Sequence, residues 1–128
     1  MSRSRTHTLL ASATAVLLVV ALSAVADASS ARVMTTTIRG VGSTYSSPHW
    51  SPTRVRIQEG SRVRWRAVSF NHFVVAYGGN WTFRHALPQG TSVKRLFPDA
   101  GTFRFRCRIH STLVNGSCQG MCGKIVVH

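Results

Sequence analysis

Residues 103–110 read FRFRCRIH, in which large apolar residues alternate with arginines before a cysteine and, three positions later, a histidine. Alternation with a period of two is typical of a β-strand that buries one face. Phe103, Phe105 and Cys107 fall on one face, and the three arginines fall on the other. The pattern therefore predicts a strand that turns Cys107 toward the core, with His110 just beyond its end.

The same alternation recurs along the chain. The segments TRVRIQ (53–58) and SRVRWRAV (61–68) also set apolar residues against arginines. Further strands are predicted at 33–39, 72–77, 91–97 and 123–127. Turns that contain glycine separate these segments, and residues 40–50 have the composition of a loop. The sequence predicts an all-β fold of about seven to eight strands, built as an antiparallel sandwich or barrel.

Residues 1–28 have the pattern of a secretory signal peptide. Arg3 and Arg5 precede an apolar run from Leu9 to about Val25, and the small-residue sequence Ala-Asp-Ala follows at 26–28. The alternative, an uncleaved membrane anchor, needs roughly 20 apolar residues. Cleavage after position 28 would leave residues 29–128 as one domain outside the cytoplasm.

The predicted mature chain is strongly basic. It retains 14 of the lysines and arginines against only Glu59 and Asp99, a net charge of +12. Such a surface favours an acidic patch on a partner protein, or an anionic membrane or cell wall. Nucleic acid is not expected, because single-strand binders combine arginines and aromatic rings on one face, whereas the alternation separates them. A monomer is expected.

Four residues together predict a metal site. Alone, Cys107 would be interpreted as a buried structural thiol and His110 as a loop histidine. His72 begins another predicted strand, however, and Met121 begins the last one. A thiolate, two imidazoles and a thioether are the donors of a blue-copper centre, in which sulfur suits Cu(I) and imidazole suits Cu(II).

From about residue 52 to 127, the chain resembles the cupredoxins of the plastocyanin, pseudoazurin and halocyanin type. The matching motifs, in family order, are EGSRVRW (59–65), NH (71–72), PQGTS (88–92), AGTFRFRCRIH (100–110) and GMCGKIVV (120–127). The resemblance implies a Greek-key β-sandwich and one copper ion that cycles between Cu(I) and Cu(II).

The resemblance also implies roles for individual residues. The copper ligands would be His72, Cys107, His110 and Met121. Asn71 would join the two loops that carry ligands and would help to surround the sulfur with hydrogen bonds. Electrons would be exchanged with a redox partner through the edge of His110.

The chain departs from the family in one loop, since ten residues separate His110 from Met121 and cysteines 118 and 122 flank the methionine. A disulfide between Cys118 and Cys122 would make this enlarged loop rigid. Two other hypotheses remain open. The two cysteines could belong to a binuclear copper site like that of cytochrome oxidase subunit II, or one free thiol could replace Met121 as a ligand.

The sequence therefore predicts an exported copper protein that carries single electrons. An enzyme is not expected, because two carboxylates offer no acid–base pair. The alternative function is copper trafficking or buffering outside the cytoplasm without a redox cycle. A sandwich without metal, serving adhesion, would leave the four ligand-type residues unexplained. His49 and His85 are predicted to be surface residues.

Overall fold

Nine β-strands form the part of the protein that the computed structural model describes, residues 32–128. The predicted signal segment, 1–28, lies outside the described residues. The strands are β1 (Thr35–Val41), β2 (His49–Ser51), β3 (Arg54–Ile57), β4 (Ser61–Ala67), β5 (His72–Tyr77), β6 (Arg84–Leu87), β7 (Ser92–Phe97), β8 (Gly101–Val114) and β9 (Ser117–Val127). The described chain contains no helix that could span a membrane.

The strands form two sheets that pack face to face. The four-stranded sheet has the order β2-β1-β4-β7, and the five-stranded sheet has the order β3-β9-β8-β5-β6. The predicted all-β sandwich is confirmed, but its sheets are mixed, because β1 runs parallel to β4 and β3 runs parallel to β9. The chain crosses between sheets after most strands, so neighbours in a sheet need not be successive hairpin strands. The strand count exceeds the predicted one because β2 and β6 are too short for a clear alternation.

The core lies between the two sheets and follows the predicted alternation. Val63, Trp65 and Ala67 of β4 are fully buried, as is Phe105 of β8. The Trp65 and Phe105 rings meet edge to face, with centroids 5.4 Å apart. Full burial of a large apolar side chain contributes roughly 1.5–3 kcal/mol, so these contacts between sheets hold the sandwich together.

The expectation that arginines and aromatic rings lie on opposite faces is wrong for the five-stranded sheet. On β5, Val74 is buried, so Phe73 and Tyr77 turn outward and share the outer face of the five-stranded sheet with arginines. The Arg84 guanidinium carbon lies 5.5 Å from the centre of the Phe73 ring. A guanidinium stacks favourably on an aromatic face, and this explains how a ring is accommodated on the basic surface.

The segment after His110 forms a hairpin where a loop was expected. Strand β8 continues to Val114, and β9 begins at Ser117. The turn consists of Asn115 and Gly116, whose φ angles are 49° and 76°. Positive φ at both central residues is typical of the tight turn that Asn-Gly forms in hairpins. Mostly polar flanking residues obscure the strands in the sequence, but the Asn-Gly pair marks the turn.

Candidate metal centre

A bulge in the β8–β9 ladder creates the site. Arg106 pairs with Cys122, but the next pair is Ser111 with Gly120. Residues 107–110 of β8 therefore stand opposite Met121 alone. Extra residues in one strand bend it and change the direction of its side chains. The bulge thus allows Cys107 and His110, three residues apart, to turn toward the same point.

Three of the four predicted ligand residues come together there. The metal-binding atoms of His72, Cys107 and His110 all lie within 4.8 Å of one another. The Cys107 sulfur is 3.5 Å from Nδ1 of His110 and 3.9 Å from Nδ1 of His72. Among residues 32–128, no other cluster of at least three histidine, cysteine or acidic side chains has this geometry.

Burial closes the site on nearly every side. The exposed fraction is 0% for Cys107, 2% for His72 and 1% for Met121. Met121 lies opposite the bulge, between the two paired stretches of β9. His110 is partly exposed, so it forms the solvent edge of the cluster.

The orientation of His72 is set by its neighbours. Its Nε2–H donates a hydrogen bond to the Ser69 carbonyl at 2.9 Å, which leaves the Nδ1 lone pair directed toward the sulfur. The Trp50 ring lies beside it, with centroids 5.7 Å apart. Gly40 lies against both rings, since an added Cβ would stand only 2.7 Å from the His72 Cδ2 atom and 3.0 Å from the Trp50 Cζ3 atom. Glycine is therefore required at position 40.

Both histidines are biased toward the neutral form that binds metal. Burial lowers the pKa of His72, and a positive charge on His110 would lower it further, although the hydrogen bond to Ser69 opposes these effects. Burial also lowers the pKa of His110. Because a metal competes with protons for imidazole nitrogen, a low pKa keeps both ligands ready at neutral pH.

Hydrogen bonds from neighbouring residues hold Cys107 in place. The Phe73 N–H donates a hydrogen bond to the Cys107 sulfur at 3.3 Å, and such bonds tune the potential of a metal–thiolate centre. The Ser111 hydroxyl donates to the Cys107 carbonyl at 2.6 Å.

The Asn71 Oδ1 atom accepts from the Gln89 N–H at 2.9 Å. Asn71 thus ties the start of β5 to the β6–β7 turn, whereas the bond to sulfur comes from Phe73.

The two extra cysteines form a disulfide. The Cα atoms of Cys118 and Cys122 are 6.0 Å apart, whereas an extended strand would separate them by about 13 Å. Strand β9 is therefore sharply bent between them, at Gly120, whose φ is +96°. The pair has no free thiol to offer a binuclear site or to replace Met121. Its position indicates that it holds the bend beside the methionine.

Sequence reasoning missed the residues that surround the ligands. The Trp50 Nε1–H donates to the Met121 carbonyl at 3.2 Å and ties β2 to β9. Trp50, Gly40, Ser69 and Phe73 act on the site through contacts between distant segments, which the alternation pattern does not report. His49 and His85, the histidines expected at the surface, are exposed.

The donor set fits one copper ion. Thiolate with imidazole and thioether selects copper, and His₂Cys with a weak methionine is the arrangement of blue-copper sites. The structure shows the first three groups converging and the fourth residue buried opposite them.

Solved structures share this architecture. The chain is similar to a purple cupredoxin from Nitrosopumilus maritimus, with a TM-score of 0.58 and 19% identity over 72% of this chain and 98% of the other. It is similar to pseudoazurin from Methylobacterium extorquens AM1, with a TM-score of 0.56 and 16% identity over 73% of this chain and 74% of the other.

A third similar structure is an enzyme. It is a copper-containing nitrite reductase from Thermus scotoductus, with a TM-score of 0.57 and 18% identity over 74% of this chain but only 22% of the reductase. No protein-family profile and no curated protein sequence matches the chain. At these identities the likeness concerns the backbone, and the chain has the cupredoxin fold.

Proposed function

We propose that this protein binds one copper ion and carries single electrons. The observation that supports this most directly is the convergence of His72, Cys107 and His110 on one point opposite Met121. His72, Cys107 and His110 would be the principal ligands, and Met121 would be the weak axial one. Copper would supply a one-electron couple between Cu(I) and Cu(II).

The protein would hold the ligands in place before and after electron transfer. Ser69 orients His72, and the Phe73 N–H restrains the Cys107 sulfur. The backbone group in each of these bonds belongs to β5 or to the turn before it, and β5 pairs directly with β8. Ligands fixed by the scaffold need little rearrangement when the charge of the metal changes, which favours rapid electron exchange.

His110 would be the point of electron entry. It is the exposed member of the cluster, and the apolar side chains beside it in the β8–β9 hairpin are also exposed: 56% for Ile109, 43% for Leu113 and 46% for Val114. Apolar side chains around a partly exposed ligand suit close contact with a partner. The basic surface would steer an acidic redox partner, so raising the ionic strength should slow electron exchange.

Burial favours an electron carrier over a copper-trafficking or buffering protein. A protein that releases copper needs access to its ligands, yet Cys107, His72 and Met121 are almost completely buried. We also infer that the chain is a carrier and not an enzyme. Within residues 32–128, the two acidic side chains, Glu59 and Asp99, lie in turns, and neither belongs to the ligand cluster. Export after cleavage near residue 28 belongs to the same proposal.

The test is to load the full-length protein with copper and to measure its redox cycle and its resistance to chelation. A carrier should bind one copper per chain, cycle reversibly by one electron and retain the metal against a strong soluble chelator. Rapid copper loss in both oxidation states, with no reversible cycle, would instead indicate trafficking. The mass of the protein recovered from its host would show whether residues 1–28 are removed.

A further inference from the structure

Three cations lie side by side on the outer face of the five-stranded sheet. Arg54 of β3 is in register with Lys124 of β9, and Lys124 is in register with Arg104 of β8. Tyr77 of β5 continues this row as the partner of Arg104. The residue that follows each of the three cations in its strand is buried, so the cations themselves face outward together.

This arrangement is unfavourable in the absence of a ligand. Like charges directly opposite on neighbouring strands destabilise a sheet, and here two such pairs share Lys124. The two acidic side chains among residues 32–128 do not neutralise them. Asp99 lies in the turn before β8, and Glu59 lies in the turn before β4, where it accepts a hydrogen bond from the Ala100 N–H.

The same residues line a groove. Thr53, Arg54, Tyr77, Arg104 and Lys124 surround a shallow depression of about 500 Å³. Neighbouring strands are about 4.8 Å apart, so the three cations span roughly 10 Å. That length suits an elongated anion with several charged groups better than a single small ion.

We propose that this groove binds a chain of phosphate groups. The two guanidinium groups can each bind a phosphate through paired hydrogen bonds, and the hydroxyl groups of Thr53 and Tyr77 add neutral donors. Each linking phosphate in such a chain carries one negative charge, as a carboxylate does, but each terminal phosphate can carry close to two, so a short chain carries more charge. Phosphates therefore relieve more of the repulsion in the row than an acidic peptide of the same length.

A single aromatic residue, Tyr77, lines the groove, and the Phe73 ring on the same face is covered, which favours a phosphate chain without bases. The guanidinium carbons of Arg84 and Arg108 lie 5.5 Å and 5.9 Å from the centre of the Phe73 ring. Binding of single-stranded nucleic acid usually requires free aromatic faces on which bases stack.

The groove is separate from the metal centre. Cys122 lines the groove, whereas its neighbour Met121 turns into the core. The two sites thus occupy opposite faces of the same sheet, and binding in the groove does not depend on copper.

The test is calorimetric titration of the full-length protein with inorganic tripolyphosphate at about 0.15 M salt. The double variant Arg104→Gln/Lys124→Gln removes two groove cations. The matched control, Arg62→Gln/Lys94→Gln, removes one arginine and one lysine that are exposed on the outer face of the four-stranded sheet. We expect the groove variant to bind at least about tenfold more weakly, and the control to bind within about threefold of the unaltered protein.

Several results would overturn the proposal. Equal weakening by both variants would mean diffuse attraction without a site, and the absence of saturable binding would have the same meaning. Equally tight binding of polyglutamate with the same total charge would exclude phosphate selectivity. Tighter groove-dependent binding of single-stranded DNA or of phosphatidylglycerol vesicles would assign a different partner.

A second measurement needs no ligand. Lys124→Gln removes the central charge of the row, so it should raise the melting temperature at low salt, and the gain should disappear as salt screens the repulsion. Lys94→Gln is the control of the same type on the other sheet, where Lys94 faces the single cation Arg64. An equal gain from both substitutions would show that the row is not a special concentration of charge.

Discussion

The two halves of the β8–β9 ladder differ in regularity, and the metal centre lies where they meet. Before the bulge, residues 101–106 pair in continuous register with 122–127, and burial alternates with exposure. Beyond it, 111–114 pair with 117–120 in a shifted register, on a bent strand closed by a disulfide. The regular half directs Cys107 into the core, whereas the shifted, irregular half allows His110 to turn toward the same point. A site of this kind needs both.

The largest expected effect comes from Trp50, which ties the junction of the two halves to β2. Trp50→Ala should lower the free energy of unfolding by about 3–5 kcal/mol, because it empties a large buried volume and removes the hydrogen bond to the Met121 carbonyl. Denaturant unfolding of the metal-free protein measures this loss.

A pair of milder substitutions isolates the hydrogen bond. Trp50→Phe removes an indole N–H that is bonded to Met121, whereas Trp65→Phe removes one that has no partner among residues 32–128. The first should cost about 1 kcal/mol more than the second, apart from packing. An equal loss would show that the bond to β9 contributes nothing to the junction.

The next effect tests the bend in the irregular half. Gly120→Ala should lower the free energy of unfolding by about 1–3 kcal/mol more than Gly116→Ala. Both glycines have positive φ, but a Cβ at Gly120 would stand 2.6 Å from the His110 carbonyl oxygen, whereas nothing lies within 4 Å of one at Gly116. The difference therefore measures close packing at the bend, and similar losses from both would contradict it.

The disulfide should contribute less than the packing around Trp50. Closing so short a loop stabilises by about 2 kcal/mol in the chain-entropy treatment, so Cys118→Ser/Cys122→Ser should lose about that much free energy of unfolding. Because neither cysteine of the disulfide belongs to the ligand cluster, the Cys107 ligand should be retained. Urea unfolding of the variant and of the unaltered protein gives the number, and no loss at all would mean that β9 keeps its bend unaided.

The smallest expected effect is on pH dependence. Burial lowers the pKa values of His72 and His110 in the folded protein below about 6.5, so the unfolded chain binds more protons. The metal-free protein should therefore keep its full stability above about pH 6.5 and lose stability as the pH falls below that value. His72→Gln should flatten this dependence in unfolding curves recorded from pH 7.5 to 5. An unchanged slope would contradict the inferred pKa of His72.

The sequence predicts the regular strands of both sheets well, because burial of one face gives their apolar residues a period of two. Val63, Trp65 and Phe105 are buried as predicted, and the observed strand Ser92–Phe97 lies within the predicted range 91–97. The irregular half leaves no such period. Exposure of Leu113 and Val114 removes the alternation that would have marked the hairpin, and only the Asn-Gly turn remained as a sign of it.

The metal-binding side chains were predictable from the sequence, but the residues that hold them in place were not. Cys107, His110 and His72 stand out because their residue types, at the ends of the predicted strands, match a known ligand set. Trp50 and Gly40 act through contacts with segments far away in the chain. No local pattern reports such contacts, so only the folded chain identifies them.

The most direct test of the account is the visible absorption and EPR spectrum of the Cu(II)-loaded protein, compared with Cys107→Ser and with Cys118→Ser/Cys122→Ser. We expect an intense thiolate-to-copper band with narrow hyperfine splitting, lost in the first variant and retained in the second. A band that survives without Cys107, or that disappears without the cysteine pair, would place the copper thiolate in the hairpin and contradict the account.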